Sequence, residues 1–119
     1  QDALLGPATY DLASLLRDAY IRLDESLIDG LVDYYLDQLA ERRYVWANRA
    51  AFRRLFDFTS IQRNLKAAGR FVYIDRVKGN SKFLADIPRV LSYVKRNLEK
   101  YPELETLRKH LTPYVPELQ

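Results

Sequence analysis

The sequence has no cysteine and no methionine, one histidine, one tryptophan and four glycines in 119 residues. Without cysteine there is no disulfide framework and no thiolate metal site, which fits a reducing compartment and predicts a cytoplasmic protein. The lone His110 leaves no partner for a histidine metal cluster or a Ser-His-Asp triad within these residues, so it is expected on a helix surface. No apolar run approaches the ~20 residues of a membrane-spanning helix, and no signal-peptide pattern is visible. Neither a glycine-rich phosphate loop nor a strand-like alternation appears, and there is no repeat or low-complexity tract.

What is present is an ordinary globular mixture, 48% hydrophobic and 29% charged. The length suits one domain over residues 1–119, with a real but modest core. The net charge of +3 is a mild excess. Its densest basic pairs, Arg42-Arg43 and Arg53-Arg54, are bracketed by apolar residues. They read as solvated helix faces rather than phosphate contacts, so neither nucleic acid nor membrane is expected as a partner. Oligomeric state is left open.

Apolar spacings of three and four predict an all-α chain. Helix one runs from Thr9 or Tyr10 to about Arg22, with Leu12, Leu15, Leu16 and Ala19 on one face and Thr9 or Asp11 as cap. Asp24 caps helix two, whose stripe is Ile28, Leu31, Val32, Tyr35, Leu36 and Leu39. Gly30 inside it signals close backbone packing or a tolerated flaw. Helix three extends from about Trp46 to Val77, with Gly69 as a kink or close contact. Lys78-Gly79-Asn80-Ser81 is a turn. Asp86 and Pro88 open helix four, with Ile87, Val90, Leu91, Val94 and Leu98 inward. Pro102 opens a short fifth helix, and Pro113 and Pro116 end regular structure.

The third helix changes character midway. Phe52, Leu55, Phe56 and Thr59 share one direction, whereas Ile61, Leu65, Ala68 and Val72 point nearly opposite. The first direction then continues through Gln62, Arg63, Lys66 and Arg70. Either the helix rolls and these charges sit in water, or Gln62, Arg63 and Lys66 line a cleft continuous with the core that binds a polar or anionic group. Other constellations are weaker. The carboxylates Asp24-Glu25, Asp29 and Asp33 read as helix-start and solvent-face charges; Asp57 and Asp86 could each be a base, but each has a routine explanation as ion-pair partner or cap. Tyr34-Tyr35, Tyr44 and Trp46 could stack on a sugar ring, but aromatic residues on helices more often fill cores.

Two sets of residues carry a family resemblance. Gly6-Pro7-x-x-Tyr10-Asp11-Leu12-Ala13 resembles the segment after the magnesium-binding aspartate in aminoglycoside-phosphotransferase-like kinases. Gln62-Arg63-Asn64-Leu65-Lys66-Ala67-Ala68-Gly69-Arg70-Phe71, then Leu84-Ala85-Asp86-Ile87-Pro88-Arg89, then Pro102-Glu103-Leu104, resembles one branch. That branch is the bacterial N-acetylmuramate/N-acetylglucosamine anomeric kinases, whose products feed cell-wall recycling.

The resemblance implies a two-lobed kinase-like parent, with this chain as its helical carboxy-terminal subdomain. The catalytic loop, the nucleotide cradle and the magnesium-binding aspartate would precede Gln1, and Asp2 is not a metal ligand. ATP and magnesium would then belong to the parent, and the fragment alone would bind neither and be inactive. By the same analogy Asp11 braces the catalytic loop, while Gln62, Arg63 and Lys66 contact the sugar acceptor. No catalytic residue is expected in this chain. Two rivals stand beside this reading: a phosphotransferase for another hydroxyl acceptor, such as an aminoglycoside or choline-like compound, and a non-catalytic helical interaction module.

Overall fold

A computed structural model describes residues 5–43 and 48–119. The expectations placed on Gln1, Asp2, Tyr44 and Trp46 lie outside those residues. Among the described residues every regular element is helical. The order is α1 (Tyr10–Leu16), α2 (Glu25–Glu41), α3 (Arg49–Lys78), a 3-10 helix (Ser81–Asp86), α4 (Ile87–Lys100), a 3-10 helix (Pro102–Leu104), α5 (Glu105–Leu111) and a terminal 3-10 turn (Pro116–Leu118).

α3 is the spine. Asn48 starts it, its side-chain oxygen accepting from the Ala51 N–H at 2.8 Å, and Gly79 stops it in the left-handed conformation at φ 63°. Thirty residues at 1.5 Å each make a rod of about 45 Å, close to the molecule's longest dimension of 48 Å. The rod rolls between two cores. Its first half supplies Phe52 and Phe56 to a cluster with Ala13, Leu16, Ile28, Val32 and Leu36. Its second half supplies Ile61, Ala68 and Phe71 to a cluster with Val90, Leu91, Val94, Leu98 and Leu118. The switch of apolar face along helix three is therefore a change of packing partner, from α1 and α2 to α4.

Several local expectations are corrected. α1 ends at Leu16, not near Arg22. Asp18 explains this, because its Oδ1 accepts from the backbone N–H groups of Tyr20 (2.6 Å) and Ile21 (3.0 Å), a turn that competes with helix. Leu15, expected inward, is 69% exposed, and Leu31 also faces out. Thr9 precedes α1 without capping it. Its hydroxyl meets Thr59 Oγ1 at 2.8 Å, and since the Thr59 proton goes to Leu55 O, Thr9 is the donor. Asp24 and Asp86 stand at helix starts but make no side-chain cap bond; Asp86 instead accepts from Arg89 at 2.8 Å. α3 runs unbroken through Gly69, and neither Gly30 nor Gly69 faces any atom that a Cβ would meet.

One carboxylate is fully enclosed at the α3–α4 junction. Asp57 has no exposure and accepts from Arg53 Nε (3.2 Å), Lys100 Nζ (2.6 Å) and Tyr101 Oη (2.8 Å). Three donors offset the cost of burying the charge. The basic pair Arg53-Arg54 is thereby committed: Arg53 also reaches Asp29, and Arg54 pairs with Glu103 at 2.8 Å.

Candidate functional site

The roll of α3 opens a cleft at its middle. α1 packs on the first half of α3, α4 packs on the second, and the segment joining α1 to α2 crosses between them. That segment is pinned by side chains from both helices. Asn64 Nδ2 donates to Arg17 O (3.1 Å) and Arg89 Nη1 to Ala19 O (2.6 Å). Arg17 is buried beneath it, paired bidentately with Glu25 at 2.5 and 2.9 Å, its guanidinium 5.4 Å from the Tyr93 ring centre. Glu25 also meets Arg96. Arg17's hydrogen bonds, with Coulomb attraction from both guanidiniums, hold the Glu25 carboxyl down at about pKa 2.

The cleft has a volume of about 300 Å³. Tyr10 and Ser14 of α1 form one side, Arg17 to Tyr20 the back, and Arg63, Asn64, Lys66, Ala67, Arg70 and Phe71 of α3 the other side. Arg63 sits over Tyr10, its guanidinium carbon 4.2 Å from the ring centre, and Arg70 over Tyr73 at 5.2 Å. Neither arginine, nor Lys66, has a carboxylate partner among the described residues. Tyr20 is 55% exposed at the rim, backed by Phe71 and Phe83, whose rings stack at 5.5 Å.

Of the residues assigned from sequence, Arg63 and Lys66 line this cleft. Gln62 is exposed and does not, because one residue turns a helix by about 100° and carries it past the edge. Asp11 is exposed in the first turn of α1, and its side chain makes no hydrogen bond or ion pair among the described residues; it does not border the cleft. Arg70 was legible as a fourth charge at helical spacing but had no role assigned to it. Tyr10, Arg17 and Tyr20 reach the cleft only through tertiary packing; Tyr10 stood in the family motif without a site role, and Arg17 and Tyr20 gave no sequence signal. Tyr35 packs on Phe52 at 5.8 Å, while Tyr34 faces solvent.

A mixed aromatic and cationic groove on an all-helical scaffold suits a small polar ligand with anionic character. No family model matches the sequence, and no solved structure matches it. Three curated relatives do. The chain is 40% identical over 108 residues to an N-acetylmuramate/N-acetylglucosamine kinase of Neisseria meningitidis serogroup B. It is 36% identical over 108 residues to one of Pseudomonas putida, and 32% over 113 residues to one of Pseudomonas aeruginosa. Each match takes in 90% of this chain, which spans about a third (32%) of the relative's length. Along that stretch the chain is homologous to kinases of this name.

Proposed function

We propose that this chain is the acceptor-side helical part of an ATP-dependent amino-sugar phosphotransferase. The whole protein would pass the γ-phosphoryl group of ATP to the anomeric hydroxyl of N-acetylmuramate or N-acetylglucosamine. The observation that carries this reading is the match to kinases of that name over nine-tenths of the chain. The cleft supports it, with two of the three residues assigned to the acceptor, Arg63 and Lys66, on its wall. Gln62 would act from the rim. Asp11, whose side chain has no partner among the described residues, would brace a catalytic loop supplied by the rest of the parent.

Among the described residues no three of His, Asp or Glu come together in a way that could hold a metal ion. In the proposed reading magnesium and ATP belong to the remainder of the parent. What this chain contributes is positioning, the main source of rate in phosphoryl transfer. A cytoplasmic setting follows from the need for ATP. No described helix is long and apolar enough to cross a membrane. A cationic acceptor such as an aminoglycoside is disfavoured, since the α3 wall of the cleft carries Arg63, Lys66 and Arg70 and no acid.

The test is an assay of the full-length protein with ATP, magnesium and a panel of sugars, aminoglycosides and choline. Transfer to an amino sugar is expected. Arg63→Ala should lower kcat/KM for that acceptor at least tenfold, because a charge-assisted hydrogen bond contributes ~1.5–3 kcal/mol. Activity on aminoglycosides or choline alone would sink the reading.

A further inference from the structure

We infer that the cleft selects an acceptor bearing a carboxylate, with Arg63, Lys66 and Arg70 as the residues that determine that specificity. The inference rests on the amino-sugar reading and goes further: it separates the two sugars in the relatives' name. They differ by a lactyl ether, which puts a carboxylate on the muramate and leaves the glucosamine neutral.

Arg49, Arg53, Arg54, Arg89 and Arg96 each meet a carboxylate. Not every guanidinium of the described residues is paired: Arg22, Arg42, Arg43 and Arg76 meet no carboxylate among them, but none of these four lines the cleft. The three cations at positions 63, 66 and 70 meet none, although positions three, four and seven apart share one helix face. The two arginines are nonetheless placed. Arg63 rests on Tyr10 and Arg70 on Tyr73. A ring contact is no hydrogen bond and leaves a guanidinium's N–H groups for a two-pronged contact with a carboxylate. The acid that does line the cleft, Asp18, is held in its turn by the N–H groups of Tyr20 and Ile21. Arg17, at the back, is already neutralised by Glu25. A net positive wall is thus left facing a space of about 300 Å³, with the exposed ring of Tyr20 beside it to cover the apolar face of a pyranose.

An anionic group could reach this wall as the acceptor's carboxylate or as a phosphate of the nucleotide, and the experiment separates them. In the full-length protein, kcat/KM is measured for N-acetylmuramate and N-acetylglucosamine, together with KM for ATP, in the wild type and in Arg63→Ala, Lys66→Ala and Arg70→Ala. Arg70→Lys tests charge without the fork. Arg76→Ala, on the exposed last turn of α3, is the control. The muramate-to-glucosamine ratio should fall at least tenfold in Arg63→Ala and Arg70→Ala, recover in part in Arg70→Lys, and stay put in Arg76→Ala. A ratio within twofold of wild type in both alanine variants, or a raised KM for ATP with no change in ratio, overturns the inference while transfer to both sugars leaves the kinase reading intact. Equilibrium titration of each sugar onto the same proteins runs in parallel. Tighter binding of the acid sugar that Arg70→Ala abolishes, with transfer to neither, supports the carboxylate site and removes the kinase reading.

Discussion

Asp57 shows most sharply what a single side chain does here. A carboxylate with no exposure, held by a guanidinium, an ammonium and a phenol, ties α3 to α4 and to the turn at Tyr101. The same contacts push the Tyr101 hydroxyl well above the usual phenol range, first through burial and then through its bond to Asp57. Asp57→Asn keeps the shape and removes the charge. It should destabilise by about 3 kcal/mol, the low end for a broken buried pair because Lys100 still reaches water. Thermal melts should show a Tm loss of about 10 °C, against almost none for exposed Asp33→Asn. Glu25 gives a pH signature. Its folded pKa lies at about 2, below the ordinary 4.5, so its contribution is complete above pH 4.5 and is lost as pH falls toward 2. The Tm gap between wild type and Glu25→Gln should therefore be constant above that window and close within it. A gap unchanged at pH 2.5 would contradict the pairing.

At the scale of elements, glycine separates two physical situations. Gly30 and Gly69 sit in helix interiors with open space where a Cβ would be, so alanine at either should stabilise by roughly 0.5–1 kcal/mol. Gly79 has φ 63° at the end of α3, and alanine there should cost about 1 kcal/mol. Denaturant midpoints of the three variants check the opposite signs. These cases also mark how far the sequence could be read. The turn at Gly79 and the stripes of α2 and α4 were visible because they depend on neighbours within a few residues. The early stop of α1 was not, because Asp18's side-chain turn overrode an apolar spacing that continues to Ala19. For the cleft, Arg63 and Lys66 could be found from a charged stripe in line with an apolar one. Tyr10 and Tyr20 could not, since only the packing of α1 on α3 brings them there.

The whole molecule is looser than its length requires. Its radius of gyration is 15.6 Å, against about 13.5 Å for a compact chain of this size. α2 is thinly attached. Its inner stripe, Ile28, Val32 and Leu36, reaches only the cluster around Phe52 and Phe56, while Leu27, Leu31 and Tyr34 on its outer side face water. What else fastens α2 is mostly electrostatic: Asp33 and Asp37 with Arg49, Asp29 with Arg53, and Glu25 with Arg17 and Arg96. The Arg49 pairs are exposed on both sides, so each contributes at most ~1 kcal/mol and is screened by salt. α4, by contrast, buries Val90, Leu91, Val94 and Leu98 almost completely. Local opening should follow that division. Amide hydrogens of α2 should exchange through a low-energy opening, faster than those of α4 and of α3 between Phe56 and Phe71. Raising NaCl to about 1 M should speed exchange in α2 and leave α4 unaffected. Equal protection in α2 and α4, or exchange in α2 indifferent to salt, would mean that the apolar stripe alone holds α2 and that its ion pairs are ornamental.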